Sequence, residues 1–456
     1  MTTGGQRRRI WGWWLFDWAS QPYATLLLTF IFSTYFSEIA RIHYVSQGLD
    51  VMQAKANAQS LWGLGLTISG VIVAVLAPVL GAIADNTGRR LIWIWLFSAL
   101  YVIGAAGLWW LAPQSPDLIL TITMFGIGLI GMEFATIFTN AMLPSLGPEQ
   151  EIGRISGNGF ALGYVGGAVA LLIMVGFFAE SGTSGKTLLG FDPLFGLNPE
   201  TREGTRFVGP FTAIWYVVFM IPFFLWVREP AATGKRLRIG AAMTNLVRLI
   251  ASLRHRTSLA AWLASSMLLR DALNGMYAFG GIYGAGVLGW TVVDVGRFGL
   301  VSVVAAAVVS WLGGHADRRW GPKPVIIACA LALLVVCVIL IGMGRESIFG
   351  IAVAQGSRLP DQIFYVCGCI IGGAGGAMQA AGRTMMARHT VPDRATEAFG
   401  LYALSGKATT FLAPMLITLA TTLSGSQRVG ISPLIVIFLF GLWLLLWVQP
   451  KGDEGQ

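Results

Sequence analysis

The sequence predicts an all-α membrane protein with about twelve spanning helices arranged in two similar halves. Of its 456 residues, 55% are apolar and only 12% are charged, whereas an ordinary soluble domain has roughly 25% charged residues. The apolar residues form about twelve stretches near or above the roughly 20 residues that a helix needs to cross a bilayer. These stretches are continuously apolar, whereas the strands of a membrane barrel alternate, so helices are predicted.

Each predicted span is identified by the residue near which its apolar stretch begins. These residues are Trp11, Leu61, Leu91, Leu118, Ile155, Phe211, Leu259, Val295, Pro324, Ile363, Ala398 and Ser432. We expect the first stretch to remain in the mature protein, because it is longer than the apolar core of a signal peptide and lacks a small-residue cleavage site. The loop from about Glu180 to Gly209 is predicted to be an irregular periplasmic segment.

The formal net charge of +9 comes largely from basic residues at helix ends in alternate loops. They form no continuous patch, which argues against a nucleic-acid partner and indicates membrane topology instead. The basic residues on the richer side are Arg7, Arg8, Arg9, Arg89, Arg90, Lys235, Arg236, Arg238, Arg248, Arg254, Arg256, Arg318, Arg319 and Lys323. By the positive-inside rule that side is the cytoplasm, so we expect a multi-pass protein of the bacterial inner membrane with both termini cytoplasmic.

Several classes of function are disfavoured by the motifs that the sequence lacks. It has no Gly-x-x-x-x-Gly-Lys-Ser/Thr loop for ATP and no nucleophile elbow, and its four histidines are scattered across loops. The cysteines lie in predicted spans, so we expect neither a disulfide nor a metal site. They are Cys329, Cys337, Cys367 and Cys369. The sequence therefore predicts a protein that is not an enzyme and that has no cofactor.

Two internal repeats relate the halves of the chain. The segment GAIADNTGRR, which begins at Gly81 after the second predicted helix, recurs as GGHADRRWGPK, which begins at Gly313 after the eighth. Residues 142–163 and 385–406 share a Met, a Pro followed by an acidic residue, and two glycines with the same spacing. Repeats of this kind are common in transporters and predict two halves of the same fold.

The repeats place the domain boundaries in the basic region between the sixth and seventh spans. We predict a six-helix bundle over residues 1–228, a cytoplasmic linker over residues 229–257, and a second six-helix bundle over residues 258–456. The linker is expected to contain a short amphipathic helix on the membrane surface. Its apolar face would comprise Leu246, Leu249 and Leu253.

The pattern Gly-x-x-x-Asp-x-x-Gly-Arg-Arg over residues 81–90 resembles the signature loop of the major facilitator superfamily. Gly81 would allow close helix packing, Gly88 would permit a tight turn, and Asp85 could accept hydrogen bonds from Arg89 or from a helix N-terminus in the other half. The resemblance implies a cytoplasmic gate that forms and breaks during alternating access, and a charged turn that only enforces topology is the alternative. The predicted gate residues are Gly81, Asp85, Gly88, Arg89, Arg90, Asp317 and Arg318.

A narrower resemblance begins in the first helix, at WGWWLFDWASQPYATLLLTFIFSTYF, and extends over both halves. The later segments are FTNAMLPSLGPEQEIGRISGNGFALGYVGG, DALNGMYAFGGIYGAGVLGW, QAAGRTMMARH and EAFGLYALSGKATTFLAP. Together they resemble the vacuole-effluxer family, which is named after a yeast autophagy-related vacuolar amino-acid exporter. The resemblance implies a twelve-helix transporter, with amino acids proposed as substrates for the fungal branch and no settled substrate for the bacterial branch. The chain departs from the family pattern at Ser20-Gln21-Pro22-Tyr23, where Asn-Ser-Ala-Tyr is common, and Pro22 predicts a kink where a substrate could bind.

Ionisable side chains within predicted spans are costly, so each is a functional candidate. The resemblance implies that helices one, four, seven and ten line a central cavity, and most of the ionisable residues lie on them, whereas Arg297 lies on helix eight. We predict Glu133 or Asp17 as the proton-coupling group, and Arg383 or Arg270 as the ligand of a substrate carboxylate or phosphate. The full set of predicted cavity residues is Asp17, Tyr23, Glu133, Asn140, Arg270, Asp271, Asn274, Tyr277, Gln379, Arg383 and Lys407.

Several of these residues have a simpler interpretation. Asp17 could lie near the cytoplasmic interface and stabilise the gate, and Asp271 could be its counterpart in the second half. Lys407 could extend its charge to the interface, and each neutral polar residue could bond a neighbouring helix. A tryptophan cluster in the first helix favours an interfacial belt over an aromatic cage for a quaternary ammonium group. It comprises Trp11, Trp13, Trp14 and Trp18.

The leading functional hypothesis is a monomeric, proton-coupled secondary transporter that exports amino acids or similar small polar solutes. Its partners would be a small-molecule substrate, a proton or other coupling ion, and the lipid bilayer. One alternative is a transporter of an amphipathic molecule, such as a lysolipid or drug, which would require a lateral opening. Another is a membrane scaffold without transport, whose function would not depend on Glu133 or Asp17.

Overall fold

The computed structural model describes residues 3–182, 184–229, 244, 247–248, 250–354 and 356–452. It confirms the all-α prediction, because helices form almost all of the regular structure in this part of the chain. Eleven helical runs among the described residues are long and apolar enough to cross a membrane. A further helix, Thr257–Leu288, is also long enough at 32 residues but contains the charged pair Arg270 and Asp271. The chain is therefore a multi-pass membrane protein.

The helices follow the predicted spans in order. They are α1 Thr3–Pro22, a π-helical segment Tyr23–Phe30, α2 Phe32–Ser46, α3 Val51–Thr87, α4 Arg90–Gly107, α5 Leu118–Asn140, α6 Glu149–Ile173, α7 Glu203–Arg206, α8 Val208–Trp226, α9 Thr257–Leu288, α10 Val292–Trp320, α11 Pro322–Gly342, α12 Leu359–Arg388, α13 Ala395–Ala408, α14 Leu412–Ser424, α15 Gln427–Gly430 and α16 Ser432–Leu445. A two-stranded antiparallel hairpin, β1 Ser347–Ile348 and β2 Ile351–Ala352, lies between α11 and α12.

Three features differ from the prediction. The second span begins at Val51 instead of Leu61, because its helix continues into a polar segment that hydropathy does not detect. The eleventh span, predicted as one stretch from Ala398, consists of two helices, α13 and α14. The hairpin between β1 and β2 was not predicted, because two-residue strands leave no periodic pattern.

By backbone contacts the chain divides into two compact units. Unit 1 comprises Met1–Leu76, Thr87–Thr139 and Leu162–Lys235, and unit 2 comprises Ala77–Asn86, Asn140–Ala161 and Arg236–Gln456. Two short segments from the first half of the sequence thus pack with the second half. The predicted bundles and linker remain predictions, and Leu246 and Leu249 of the predicted amphipathic helix lie outside the described residues.

The start of unit 1 is built on buried aromatic side chains. The Trp13 indole donates a hydrogen bond to the carbonyl of Thr139 at 2.8 Å. The helix that contains Trp13 ends at Pro22 and continues as the π-helical segment. Pro22 has no N–H to donate, so a change of winding at this point follows from the sequence. The irregularity expected in the first span is therefore a stretch of π-helix.

The predicted irregular loop between α6 and α8 begins with a buried carboxylate. The Glu180 side chain is 0% exposed and lies 3.0 Å from the Arg202 guanidinium. It also accepts hydrogen bonds from the backbone N–H and the hydroxyl group of Thr205, at 3.1 Å and 2.7 Å. Arg202 contacts Glu38 of α2 at 3.6 Å as well. The carboxylate thus connects both ends of the loop, and Arg202 connects the loop to α2.

Glu180→Gln is expected to destabilise the protein by about 2 kcal/mol, because the amide leaves the Arg202 guanidinium without its buried counter-charge. Thermal unfolding in detergent micelles would measure the change. Glu200→Gln is the matched control, because Glu200 lies exposed in the same loop. Equal melting temperatures for the two variants would contradict this role of Glu180.

Candidate functional site

The signature glycine and aspartate contact the start of α13, and we name this the Gly81 contact. Asp85 accepts a hydrogen bond from the backbone N–H of Glu397 at 2.8 Å. A Cβ atom on Gly81 would lie 2.5 Å from the carbonyl oxygen of Thr396, so only glycine allows this approach. Gly88 has a φ of +64°, the left-handed conformation that glycine favours in a tight turn. The Asp85 carboxylate therefore binds the N-terminus of α13, where a negative charge is stabilising.

A second contact, named the Gly157 contact, also brings glycines and an aspartate against the start of another helix, although the Asp317 carboxylate accepts no hydrogen bond from the described residues. A Cβ atom on Gly157 of α6 would overlap the Cα of Gly314 on α10. Asp317 is 1% exposed, and a Cβ on Gly153 would overlap its carboxyl carbon. Arg318 forms an ion pair with Glu151 at 2.7 Å. Unit 2 thus contains two helix crossings in which repeated Gly and Asp residues meet the first turns of another helix.

The charges at the two contacts have opposite order along the chain. At the Gly157 contact, Glu151 pairs with Arg154 at 2.7 Å. At the Gly81 contact, Arg394 pairs with Glu397 one turn later in the same manner. The second sequence repeat aligns Glu151 with Arg394 and Arg154 with Glu397, so the sign of the charge is reversed at both positions. This reversal could have identified Glu397, which is 2% exposed. It was not predicted as a site residue.

The two arginines of the motif lie at the start of α4 in unit 1. Arg89 is exposed, whereas the backbone N–H groups of Arg90 and Leu91 donate to the Glu229 carboxylate at 2.8 Å and 3.1 Å. Burial raises the pKa of Glu229, although these N–H donors and the nearby Arg90 and Arg9 guanidinium groups lower it. Glu229 therefore caps the helix that follows the motif.

Arg383 and Asn140, both predicted as cavity residues, are brought together in unit 2. The Arg383 side chain donates from Nη1 to Asn140 Oδ1 at 3.0 Å, from Nε to the Ser156 hydroxyl at 3.0 Å, and from Nη2 to the Ser156 carbonyl at 2.8 Å. Its guanidinium carbon lies 4.4 Å from the centre of the Phe160 ring. Arg383 is only 3% exposed, so all three of its nitrogens are bound to protein in this conformation.

Arg270 is less completely bonded. Its Nε donates to the Ser266 carbonyl at 3.2 Å, and its Nη2 donates to the Tyr402 carbonyl at 2.7 Å and to the Ser405 hydroxyl at 2.9 Å. The guanidinium carbon lies 4.0 Å from the centre of the Tyr402 ring, a distance typical of a cation–π contact. Nη1 makes no hydrogen bond with the described residues and packs over Gly406.

Arg270 lines a small cavity of unit 2 together with Gln379, another predicted cavity residue. The other lining residues include Trp262, Ser266, Gly382 and Tyr402. The cavity is about 10 Å³, enough for roughly one water molecule, so a larger solute would have to widen it. It combines a guanidinium group, a side-chain amide and aromatic rings, which can bind a carboxylate and a polar group together.

Two predicted tyrosines lie over glycines of neighbouring helices. The Tyr23 hydroxyl donates to the Phe125 carbonyl at 2.7 Å, and a Cβ on Gly128 would lie 2.5 Å from the hydroxyl oxygen. A Cβ on Gly375 would likewise overlap the hydroxyl of Tyr277. Tyr23 is 0% exposed and Tyr277 is 44% exposed. The arrangement is therefore repeated in both halves, but only Tyr277 has an accessible side chain.

The predicted coupling residues Asp17 and Glu133 are both half-buried in unit 1. Asp17 lies on α1 with its backbone close to Gly163 of α6, where a Cβ would lie 3.1 Å from its carbonyl oxygen. Glu133 lies on α5. Neither residue lines the cavity that contains Arg270.

The remaining predicted residues lie on α9, α10 and α13 of unit 2. Asp271 on α9 is 2% exposed and accepts a hydrogen bond from the Ala413 N–H at 3.1 Å. Asn274 is exposed on the same helix, and Lys407 lies in the last turn of α13. Arg297, predicted at membrane depth, lies near the start of α10 with a side chain that is 70% exposed. Its depth in the membrane stays a prediction.

Comparison with known proteins identifies the family. The family model described as "Vacuole effluxer Atg22 like" matches residues 5–454. The uncharacterized MFS-type transporter YxiO of Bacillus subtilis (strain 168) is 24% identical over 448 residues, which are 97% of this chain and 96% of that protein. Autophagy-related protein 22-1 of Aspergillus niger is 21% identical over 66% of this chain, and the match spans only 48% of the fungal protein.

Solved structures share the fold. The human organic anion transporter MFSD10 (TETRAN) matches 96% of this chain and 99% of its own chain, with a TM-score of 0.65 and 15% identity. The proton:xylose symporter XylE matches 99% of this chain and 98% of its own, with a TM-score of 0.65 and 13% identity. Identities this low indicate the major facilitator fold and nothing about cargo. Because the family match covers nearly the whole chain, the protein belongs to the Atg22-like vacuole effluxer family of major facilitator transporters, which are not enzymes.

Proposed function

We propose that the protein is a proton-coupled secondary transporter that exports amino acids or similarly small polar solutes across the bacterial inner membrane. The observation that supports this proposal is the cavity lined by Arg270 and Gln379. Arg270 has one guanidinium nitrogen without a hydrogen bond to the described residues, and a substrate carboxylate is its best partner. The Gln379 amide can bond the amino group of the same zwitterion.

The Gly81 and Gly157 contacts would form the cytoplasmic gate. Arg89 and Arg90 follow the first contact, and Arg318 and Arg319 belong to the second. The positive-inside rule assigns such basic loops to the cytoplasm. A transporter that alternates between two accessible states has to break both contacts to open this side.

Arg270→Gln is expected to lower transport of the cognate substrate about tenfold at subsaturating concentration, because the substrate loses one charge-assisted hydrogen bond. Proteoliposome uptake of a panel of amino acids, lysolipids and cationic drugs under an imposed pH gradient would measure this. Arg297→Gln is the matched control, since Arg297 is exposed near a helix end. Equal uptake by the two variants would contradict the assignment of Arg270 to the substrate.

An amphipathic cargo is the second candidate, and one observation favours it. Unit 2 contains a larger, mainly apolar cavity of about 150 Å³, which could admit an acyl chain. Its lining includes Phe279, Ile282, Tyr283, Ile417, Thr421 and Ile431. Uptake of lysolipids in the same panel, unchanged by Arg270→Gln and reduced by Ile417→Trp, would favour this candidate over the zwitterion.

A further inference from the structure

The break in the eleventh span lies between α13 and α14, at residues 409–411. Pro414 lies in the first turn of α14 and has no N–H for the carbonyl of Thr410, so a continuous helix would lose a hydrogen bond here. The corresponding helix of the first half, α6, runs without a break from Glu149 to Ile173. The break is therefore a feature of the second half alone.

Two consecutive residues of α9 bind the two sides of this break. Arg270 donates to the carbonyl of Tyr402 and to the hydroxyl of Ser405, both on α13. Asp271 accepts the backbone N–H of Ala413, in the first turn of α14. A cation thus lies beside the C-terminal half of one helix and an anion at the N-terminus of the next, and both placements are favourable to the helix dipoles.

Asp271 has an incomplete set of hydrogen-bond partners for a buried carboxylate. It is 2% exposed, its Oδ2 accepts one hydrogen bond, and its Oδ1 has no hydrogen-bond partner among the described residues. The hydroxyl of Thr409, within the break, is also buried and has no hydrogen-bond partner in the part of the chain that the structure describes. A buried ionised carboxylate usually requires several donors or a paired cation. This oxygen is therefore the atom at which a proton would relieve the cost of burial.

Among the described residues, the other carboxylates on the helices that pack against α9 are held at other places. A Cβ on Gly275, one turn from Asp271, would contact Ala413, Ile417 and Leu434, which belong to α14 and α16. These two helices contain no ionisable side chain. The charged and titratable residues on the rest of α9 and on α10, α12, α13 and α15, which pack against it, are Arg270, Asp294, Arg297, His315, Asp317, Arg318, Arg319, Asp361, Arg383, Arg388, Glu397, Lys407 and Arg428. Asp361 binds Arg345 and Trp290, Asp294 caps the start of α10, and Asp317 lies at the Gly157 contact. Glu397 is occupied at the Gly81 contact, at the opposite end of α13 from the break.

We propose that Asp271 is the carboxylate that binds the coupled proton, and that protonation releases the start of α14 from α9. The proposal rests on the proposed function, because it names the proton site of that transporter. Neutralising the carboxylate removes its attraction for the N-terminus of α14. Arg270, the preceding residue in the chain, both lines the Gln379 cavity and binds α13. Movement at the break would therefore change the position of the substrate-binding guanidinium, which is a direct route from proton binding to substrate binding.

Hydrogen exchange tests the release without any substrate. In wild-type protein, the intrinsic-rate-corrected exchange of a peptide covering residues 409–417 is expected to rise about threefold as pH falls from about 9 to about 5. In Asp271→Asn this exchange should be independent of pH, because the amide keeps the acceptor but cannot ionise. Exchange in the wild type that does not change with pH would overturn the proposal, whatever the variant does.

Transport tests the coupling. In proteoliposomes, uptake of substrate by wild-type protein is expected to rise with an imposed pH gradient, and uptake by Asp271→Asn is expected to be independent of the gradient. Asp192→Asn, an exposed loop variant, is the control and should keep the wild-type dependence on the gradient. Gradient-driven accumulation that survives in Asp271→Asn would overturn the proposal. If transport by the wild-type protein does not depend on a proton gradient, the proposed function fails. The hydrogen-exchange experiment would still decide whether Asp271 controls the start of α14.

Discussion

Gly81→Ala is expected to lower transport on the order of 100-fold, because the added methyl group would prevent the Gly81 contact from closing. Its Cβ would lie 2.5 Å from the Thr396 carbonyl oxygen and 3.0 Å from the Cα of Glu397. Backbone atoms cannot move aside as the end of a flexible side chain can, so overpacking here should cost about 3 kcal/mol. That cost would fall on the closed state alone and so would shift the equilibrium by roughly two powers of ten.

Uptake in proteoliposomes and cysteine labelling would measure the two consequences separately. Thr396→Cys, placed in a cysteine-free background, should react slowly with a membrane-impermeant maleimide in the parent protein, since Thr396 is 0% exposed. Adding Gly81→Ala should accelerate labelling. Gly70→Ala is the matched control, because Gly70 lies in the same helix and a Cβ added there would meet nothing within 4 Å. Slow labelling and normal uptake in Gly81→Ala would exclude the gating role of this contact.

Much of the fold could be predicted because membrane spans have to satisfy strong local constraints. Each span has to be apolar over the thickness of a bilayer, so Leu118 and Ser432 are both a predicted and an observed helix start. Gly88 was predictable for a similar reason, since a tight turn with positive φ selects glycine. Both features depend on a few neighbouring residues.

The partners of the charged residues could not be predicted in this way. Asp85 binds the N–H of a residue 312 positions away, and Arg383 binds Asn140 across 243 positions. Hydropathy and periodicity describe a single helix and contain no information about which helix lies beside it. The resemblance placed Arg383 on a cavity helix but could not indicate that Ser156 and Asn140 already bind its guanidinium group.

The break in the eleventh span was missed for a different reason. A hydropathy window averages over the break, because Phe411, Leu412 and Ala413 are apolar. The local signal was Pro414, but a proline occurs in the first turn of a new helix as readily as at a kink within one helix. The local sequence also does not show that the Asp271 carboxylate on another helix binds the N–H of Ala413 beside the break.

Arg383→Lys is expected to lower the maximal transport rate by roughly 30-fold to 100-fold while leaving KM close to the wild-type value. Lysine keeps the charge but cannot reproduce three directed hydrogen bonds, so Asn140 Oδ1 and the Ser156 carbonyl would lose their donors. Two lost charge-assisted hydrogen bonds correspond to about 2 to 3 kcal/mol. The loss would destabilise the conformation in which Asn140 and Ser156 contact α12, and conformational cycling would slow.

A double-mutant cycle with Asn140→Ala would test whether Arg383 acts through this contact. The effects of Arg383→Lys and Asn140→Ala should be less than additive, with a coupling of about 1 kcal/mol or more, whereas Arg383→Lys and Asn274→Ala should be additive. Additive effects in the first pair would contradict the role of the contact. A raised KM with an unchanged maximal rate would instead assign Arg383 to the substrate. The two arginines thus make opposite kinetic predictions, since Arg270 should control the substrate affinity and Arg383 the rate of conformational change.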